Sequence, residues 1–188
     1  MRGNFFYWAQ HRKLVIVCLF LIFIGEQIPG FSQPSEYLVK AVLLEKFTRF
    51  IEWPENSPVI DSTDSFVIGI LGKNPFDVDL NAVYQNRKIK NKQVEIQYYE
   101  HIDDVDQCHL LFIAKSERNR IHEIVDMIGG EPILTIGDSD DFSGKGVIIN
   151  ISISNKKMRF EIDEQAVQRA GFHVSYLLLK EAELVNSN

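Results

Sequence analysis

Three carboxylates lie close together at Asp138, Asp140 and Asp141, directly after a predicted strand. A divalent cation or a phosphoacceptor site requires carboxylates that converge from several loops, whereas these three share one loop. The cluster therefore favours a solvated turn, and we predict no metal site.

Cys108 and His109 are neighbours in an apolar run, where they could ligate a metal or act as a nucleophile and its base. Successive residues of a strand point to opposite faces, so the two cannot hold one ion without a bulge. Burial in apolar surroundings raises a thiol's pKa, which predicts an inert core thiol at Cys108. The other cysteine, Cys18, lies in a segment that we expect to be removed, so no disulfide is predicted.

Further reactive arrangements are missing from the sequence. His101, His122 and His173 are widely separated and have no metal-ligand spacing. No serine lies in a nucleophile elbow, and neither a G-x-G-x-x-G motif nor a Walker sequence is present. We therefore predict a protein with no catalytic residues and no cofactor, which disfavours an exported hydrolase.

The first 32 residues have the pattern of a secretory signal peptide. Residues 1–13 carry three basic residues and no acidic one, and the run Leu14–Ile24 holds eleven residues without a polar side chain. As a helix this run reaches about 16 Å, roughly half of a bilayer core of about 30 Å. Gly30 and Ser32 supply small residues for cleavage after Ser32. An uncleaved N-terminal anchor is the alternative.

The remaining chain, residues 33–188, has ordinary globular composition and is predicted to be a single domain. The full sequence is 45% hydrophobic and 24% charged, with a net charge of -6. Loss of residues 1–32 removes three basic residues and one acidic residue, which leaves a net charge of -8. Such a charge opposes binding to nucleic acid and to anionic lipid, so we expect neither as a partner.

Hydrophobic periodicity in this domain predicts strands that alternate with helices. The fold class is therefore α/β, with a mostly parallel sheet, helices on both faces, a C-terminal antiparallel hairpin and a final helix. The predicted strands are Phe66–Gly72, Val94–Glu100, Cys108–Ala114, Ile133–Ile136 and the hairpin strands Val147–Ser154 and Met158–Ile162; the predicted helices are Ser35–Trp53, Pro75–Gln85, one capped by Ser116 and ending at Gly129, and Asp163–Glu183.

Open parallel sheets bind ligands beyond the C-terminal ends of their strands. In this chain those ends carry Lys73, Ser116 and Asp138. This placement follows from architecture alone, and it predicts the location of a crevice for a small ligand without indicating which ligand.

Three stretches resemble the YfiR-like family of exported bacterial regulators. The first is Val39–Pro54, with its Lys-Ala pair, spaced phenylalanines and closing Glu-Trp-Pro; the second is Cys108–Ile113; the third runs from Ile133 to Leu178 and includes Gly146, Arg159-Phe160-Glu161 and Ala170-Gly171. Together they cover nearly all of residues 35–185 in order.

The resemblance implies a periplasmic α/β protein without enzymatic activity. Such relatives repress a membrane-bound diguanylate cyclase by binding its periplasmic part, which lowers cyclic di-GMP and restrains biofilm formation. Related domains serve as sensory inputs for histidine kinases. The alternative function is therefore a periplasmic small-molecule-binding or sensory domain that acts with a histidine kinase.

The resemblance also implies an interaction site. Glu161 and Arg159, on the non-core face of the hairpin, match a family region associated with recognition, and Phe142 in the preceding loop is a third candidate. The alternative for these residues is solvated strand charges and a half-buried loop aromatic.

Trp53 is predicted to be a core anchor. A homodimer is a further expected assembly, although a link through Cys108 would require that residue to be exposed. Additional family cysteines that form bridges are absent, so redox control through an internal disulfide is not predicted.

Overall fold

A computed structural model describes residues 35–55, 57, 65–105, 107–154 and 157–187. The predicted signal peptide, residues 1–32, lies outside these ranges. The described residues all belong to one compact unit, Ser35–Asn188. Among them, no helix combines the length and the apolar character needed to cross a bilayer.

An eight-stranded sheet organises the fold, in the order β10-β8-β7-β6-β5-β2-β4-β3. Its strands are β2 (Ser65–Leu71), β3 (Lys88–Ile89), β4 (Lys92–Tyr99), β5 (Leu110–Ile113), β6 (Leu134–Gly137), β7 (Ile149–Ser154), β8 (Lys157–Asp163) and β10 (Glu183–Val185). The central pairs from β4 to β7 are all parallel, and β7 and β8 form the antiparallel hairpin. This arrangement confirms the predicted α/β class, the mostly parallel sheet and the C-terminal hairpin.

Helices cover the sheet on both faces. Helix α1 (Glu36–Arg49) and helix α2 (Asp79–Tyr84) bury Leu44, Phe47 and Leu80 against one face. Helix α3 (Ile121–Ile128) buries Ile121 and Ile124 against the other. Because the side chains of each central strand alternate between the faces, two separate apolar cores result. We call the core beneath α1 and α2 the first core and the core beneath α3 the second core.

The first helix is shorter than predicted. Its cap is Ser35, whose hydroxyl accepts a hydrogen bond from the Leu38 amide at 3.0 Å, and it ends at Arg49 rather than at Trp53. The chain then extends as β1 (Ile51–Glu52) and pairs with β9 (His173–Val174) in an antiparallel sheet of two strands. Apolar spacing alone could not reveal this pairing, because the partner strand lies more than a hundred residues away.

Trp53 confirms its predicted place in the core. Its side chain is 6% exposed, and its ring meets Phe66 and Phe172 edge-on at centroid distances of 5.7 and 5.3 Å. Edge-to-face contacts of this kind add to the burial of aromatic surface. Trp53, the last aromatic residue of the Val39–Pro54 stretch, therefore anchors the chain in the core directly after β1.

A helix follows the hairpin as predicted, but its predicted length, Asp163–Glu183, is wrong. Asp163 does cap a helix, with its carboxylate accepting from the Ala166 amide at 2.9 Å, but this helix, α4, covers only Glu164–Arg169. Gly171 has φ +72, a left-handed conformation that breaks the helix. Strand β9, a four-residue helix α5 (Tyr176–Leu179) and β10 then follow. The apolar residues keep helical spacing across this break, which explains the error.

The helix assigned to begin at Ser116 also starts differently. A 3₁₀ turn occupies Lys115–Arg120, and α3 begins at Ile121 without a side-chain cap. Ser116 instead accepts a hydrogen bond from the backbone amide of Lys73 at 3.0 Å. A long-range contact between two strand ends has replaced the local cap.

Candidate functional site

Arg159 and Glu161 share one face of strand β8, while Met158 and Phe160 turn to the other. Phe160 packs edge-on against Phe47 of α1 at 5.1 Å, which assigns its face to the first core. Arg159 is exposed and Glu161 is partly buried. The predicted division of the hairpin into a core face and an outer face is therefore confirmed.

Neighbouring strands add further polar groups to this outer face. Ser152 lies opposite Arg159 in the β7–β8 pair, and Glu183 lies beside Glu161 in the β8–β10 pair. Glu161 accepts a hydrogen bond from the Asn150 side-chain amide at 3.3 Å, which orients its carboxylate. We call Ser152, Arg159, Glu161 and Glu183 the hairpin surface. Its side chains match a partner that offers both a cation and an anion.

Phe142 does not belong to the hairpin surface. Its side chain is fully buried in the second core, and it lies so close to Gly137 that a Cβ there would come within 2.4 Å of its ring. A 3₁₀ turn, Asp140–Phe142, carries it inward. The structure therefore gives Phe142 a packing role beneath the loop that precedes the hairpin, and its ring is not available to a partner.

Two of the three predicted crevice residues are in contact. Lys73 and Ser116 are joined by the hydrogen bond between strand ends, and Ser116 also donates to Glu117 at 2.9 Å. The carboxylate of Glu117 and the hydroxyl of Ser116 occupy the space beside Gly72. The chain's own side chains thus fill this part of the predicted crevice.

Asp138, the third crevice residue, is engaged in a buried ion pair. Its carboxylate accepts from the Lys40 ammonium at 2.8 Å, and the two side chains are 1% and 3% exposed. Lys40 also contacts Glu36 at 2.5 Å and lies 4.4 Å from the centre of the Tyr37 ring. Burial and the nearby carboxylate of Asp138 raise the pKa of Tyr37. Through this ion pair Asp138 links helix α1 to the sheet, and its side chain is closed off from solvent.

Sequence reasoning missed Lys40 because a lysine in an amphipathic helix is normally placed in solvent. The available signal was its position within the apolar stripe, directly before Ala41, which is fully buried. A charge in that stripe requires a buried partner.

A cleft of about 350 Å³ lies elsewhere, between helix α3 and helix α4. Arg169 and Lys145 contribute cations to its lining, and neither forms an ion pair with a described residue. Asp126 and Glu131 contribute carboxylates. The buried hydroxyl of Thr135 accepts a hydrogen bond from the Ile148 amide at 2.9 Å, which leaves the hydroxyl proton available for donation to a ligand. Lys73, Ser116 and Asp138 do not line this cleft. No sequence pattern indicated this cleft, because its polar residues come from segments that are far apart in the chain.

Cys108 and His109 are both buried and both bonded within the fold. Burial raises the pKa of Cys108 to about 12, and its thiol donates to the Leu110 carbonyl at 3.0 Å. His109 accepts from the Val67 amide at Nδ1 over 2.7 Å, and burial lowers its pKa. The alternation of faces predicted for these neighbours separates them. Within the described ranges, no three His, Cys, Asp or Glu side chains are grouped as a metal site would require.

Comparison with known proteins supports the resemblance found in the sequence. A family model described as YfiR/HmsC-like matches residues 37–183, which confirms the predicted family. No curated protein matches.

Among solved structures, this chain is similar to the crystal structure of a conserved domain protein from Vibrio cholerae O1 biovar El Tor strain N16961, at 12% identity and a TM-score of 0.53. The similarity covers 82% of this chain and 61% of that chain. At this identity the likeness concerns the fold alone, and it agrees with the observed α/β architecture.

Proposed function

This chain belongs to the YfiR/HmsC-like family, and from that premise we propose that it is a non-enzymatic periplasmic regulator. Its partner is the periplasmic sensor part of a membrane signalling protein, a diguanylate cyclase, which it represses by binding. The family match over residues 37–183 is the observation that carries this proposal. Export through a cleavable signal peptide, residues 1–32, is part of the same proposal.

The hairpin surface is the contact region that we propose. Arg159 is exposed on the outer face of β8, and Glu161 is oriented by Asn150 beside it. Charged groups held on a strand lose less freedom on binding than groups on a mobile loop. Two opposite charges in one row also select against partners that present the wrong sign.

Repression by binding has an energetic requirement. A regulator shifts a two-state receptor only by the difference between its affinities for the two states, and a swing from 1:99 to 99:1 needs about 5.5 kcal/mol. Because a few central residues usually carry most of an interface energy, loss of one such anchor should abolish most of the repression.

The test is capture of membrane proteins by the purified chain, with the variant Glu161→Lys as the probe. We expect wild type to retain a cyclase with a periplasmic domain and Glu161→Lys to retain at least tenfold less, at an unchanged melting temperature. Asp104→Lys is the matched control, since Asp104 is an exposed acid in the turn after β4. Equal capture by all three proteins would remove Glu161 from the interface.

Deletion of the gene tests the proposed direction of regulation. Loss of a repressor should raise cyclic di-GMP, and complementation with wild type should restore the lower level. Unchanged or lower cyclic di-GMP in the deletion strain would contradict repression.

A small-molecule-binding function is the second candidate, favoured by the cleft between α3 and α4. Arg169 and Lys145 suit a carboxylate, while Asp126 and Glu131 suit an ammonium group, so the cleft fits a zwitterionic metabolite. A ligand present at a hundredfold excess over its dissociation constant would stabilise the fold by about 2.7 kcal/mol. Thermal unfolding with a panel of amino acids tests this, and Arg169→Gln should abolish any shift that they cause.

A further inference from the structure

The outer edge of strand β4 is open in its C-terminal half. Strand β3 pairs there only with Lys92 and Gln93, and this hairpin occupies the edge as far as Val94. Within the described ranges, no strand lies beside the outer edge of Ile96 and Tyr98. Unpaired backbone groups on such an edge can accept a further strand.

One hydrogen bond fixes the direction of these backbone groups. The Tyr99 carbonyl accepts from the Gly72 amide at 2.9 Å, so Tyr99 turns its backbone groups toward β2. Because alternate residues of a strand turn these groups to opposite sides, Ile96 and Tyr98 turn theirs outward. Each of the two residues therefore offers one donor and one acceptor at the open edge.

A groove of about 450 Å³ lies beside this edge, between helix α2 and strand β4. Its helical wall consists of Val78, Asn81, Ala82 and Gln85, whose spacing of three and four residues places them on one face of the helix. None of the described residues that line the groove is charged, although 24% of the chain is. The groove therefore suits uncharged side chains.

The two faces of β4 differ at this edge. Ile96 lines the groove, and Tyr98, which is 50% exposed, shares its face and accepts from the Asn81 amide at 3.4 Å. Glu95 and Gln97 lie on the opposite face, where their side chains are hydrogen-bonded at 2.9 Å. A strand added here would meet apolar neighbours on one face and hydrogen-bonding neighbours on the other.

We propose that the groove binds an extended segment of another protein, which adds to the edge of β4 as an antiparallel strand. The existing neighbour on this edge, β3, is antiparallel to β4, and antiparallel pairs are slightly more stable than parallel ones. The segment has apolar residues at every second position, facing the groove, with uncharged polar residues between them. Backbone hydrogen bonds supply the affinity, and the groove selects the side chains.

This groove is separate from the hairpin surface. Strands β4 and β8 are five places apart in the order of the sheet. Neighbouring strands are about 4.8 Å apart, so the two sites lie about 24 Å from each other across the sheet. One copy of the chain can therefore hold the extended segment and the proposed cyclase contact together, and the proposal does not rest on repression of a cyclase.

Selection from a random heptapeptide library displayed on phage tests the groove, with the purified chain as the target. We expect the enriched peptides to alternate apolar and uncharged polar residues. They should bind Ala82→Glu, which sets a carboxylate in the groove, at least tenfold more weakly than wild type. Gln168→Glu is the matched control, since Gln168 is exposed on helix α4, outside the groove, and it should bind as wild type.

The melting temperatures of both variants report whether they fold. The absence of any enriched peptide, enrichment of charged peptides, or equal binding by wild type and a folded Ala82→Glu would overturn the proposal.

Backbone methylation of a synthetic copy of the enriched heptapeptide tests strand addition on the unaltered protein. In an antiparallel pair, opposed residues share a face and exchange their hydrogen bonds, so the peptide residues facing the groove also donate to β4. N-methylation of these residues should weaken binding at least tenfold, whereas N-methylation of the polar residues between them should leave it unchanged. Equal effects of the two modifications would contradict binding as a strand.

Hydrogen exchange locates the bound peptide. Exchange of the Ile96 and Tyr98 amides should slow at least tenfold on binding, while the Gln97 amide, which turns toward β2, should keep its rate. Protection of Ile96 and Tyr98 without peptide, rising with protein concentration, would assign the edge to a second copy and overturn the proposal. None of these measurements uses cyclase capture, so the proposed function is tested separately.

Discussion

Lys40 carries the most unusual charge in the described part of the molecule. Its side chain is 3% exposed, and its ammonium contacts two carboxylates, Asp138 at 2.8 Å and Glu36 at 2.5 Å. The side chain of Asp138 is buried, and that of Glu36 is 45% exposed. A buried ion pair contributes little compared with an apolar pair of similar size, but removal of one member leaves an isolated charge. The two partners of this pair should therefore differ in how strongly the fold depends on them.

Lys40→Met should cost about 3 kcal/mol or more of unfolding free energy, because it leaves the buried carboxylate of Asp138 without its cation. Asp138→Asn should cost less, since Lys40 keeps its contact with the more exposed Glu36. Urea denaturation of both single variants and the double variant measures the coupling. An equal loss for the two single variants would show that Glu36 does not compensate.

His109 makes the stability depend on pH. Its Nδ1 accepts a hydrogen bond from the Val67 amide, which requires the neutral ring, and burial followed by the charge of Lys92 lowers its pKa from 6.5. As the pH falls below about 6.5, the unfolded chain takes up this proton before the folded chain does. The contribution of His109 to stability is therefore present above that pH and is lost below it, by up to about 1.4 kcal/mol per pH unit.

The variant His109→Asn isolates this effect, because an amide oxygen can accept the Val67 hydrogen bond without titrating. We expect wild type to lose more stability than His109→Asn between pH 7.5 and pH 5.5 in urea denaturation. Parallel curves for the two proteins would show that His109 does not titrate on unfolding.

At the scale of elements, Gly171 decides how the C-terminal region folds. Its φ of +72 ends helix α4 and allows the chain to return as β9 beside β1. A Cβ at this position would meet Pro54 at 3.6 Å, an ordinary contact, so a substitution is costly only through its backbone conformation.

Gly171→Ala should therefore cost about 1–2 kcal/mol of unfolding free energy, the usual penalty for an alanine in the left-handed region. Gly171→Asn should cost less, because asparagine tolerates that conformation better. Thermal or urea unfolding measures both changes. Equal losses would indicate a steric cause in place of the conformational one.

Elements with strong local signals could be predicted from the sequence. The apolar runs at β2 and β5 and the stripe of α1 required only periodicity, and the hairpin required only two strands joined by a short turn. Strands β1, β9 and β10 could not be predicted, because each has two or three residues and exists only through its pairing with a distant segment. The same reason explains why the final helix was predicted to be too long.

The candidate site shows a similar division. The outward direction of Arg159 and Glu161 follows from strand alternation, so it could be predicted. The burial of Phe142 and the pairing of Asp138 with Lys40 depend on contacts between segments far apart in the chain. A polar residue at the end of a strand looks the same in sequence whether it faces a ligand or a neighbouring helix.

At the scale of the whole molecule, the proposed export step changes the net charge of the chain. The proposed mature chain has a net charge of -8 after loss of residues 1–32. Intact mass spectrometry of protein recovered from the periplasm should give a chain that begins at Gln33. A full-length mass in the membrane fraction would instead support the uncleaved anchor.

Strand β10 also has a practical consequence. It lies in parallel beside β8, with Glu183 next to Glu161, and Ser187 donates to Asp163 at 3.2 Å just beyond it. A fluorescent reporter or affinity tag fused to the last residue would therefore lie close to the hairpin surface, which the capture assay tests. C-terminal fusions and immobilisation tags should therefore carry a long spacer. A stop codon placed before Glu183 would remove strand β10 and, with it, the Glu183 carboxylate of the hairpin surface.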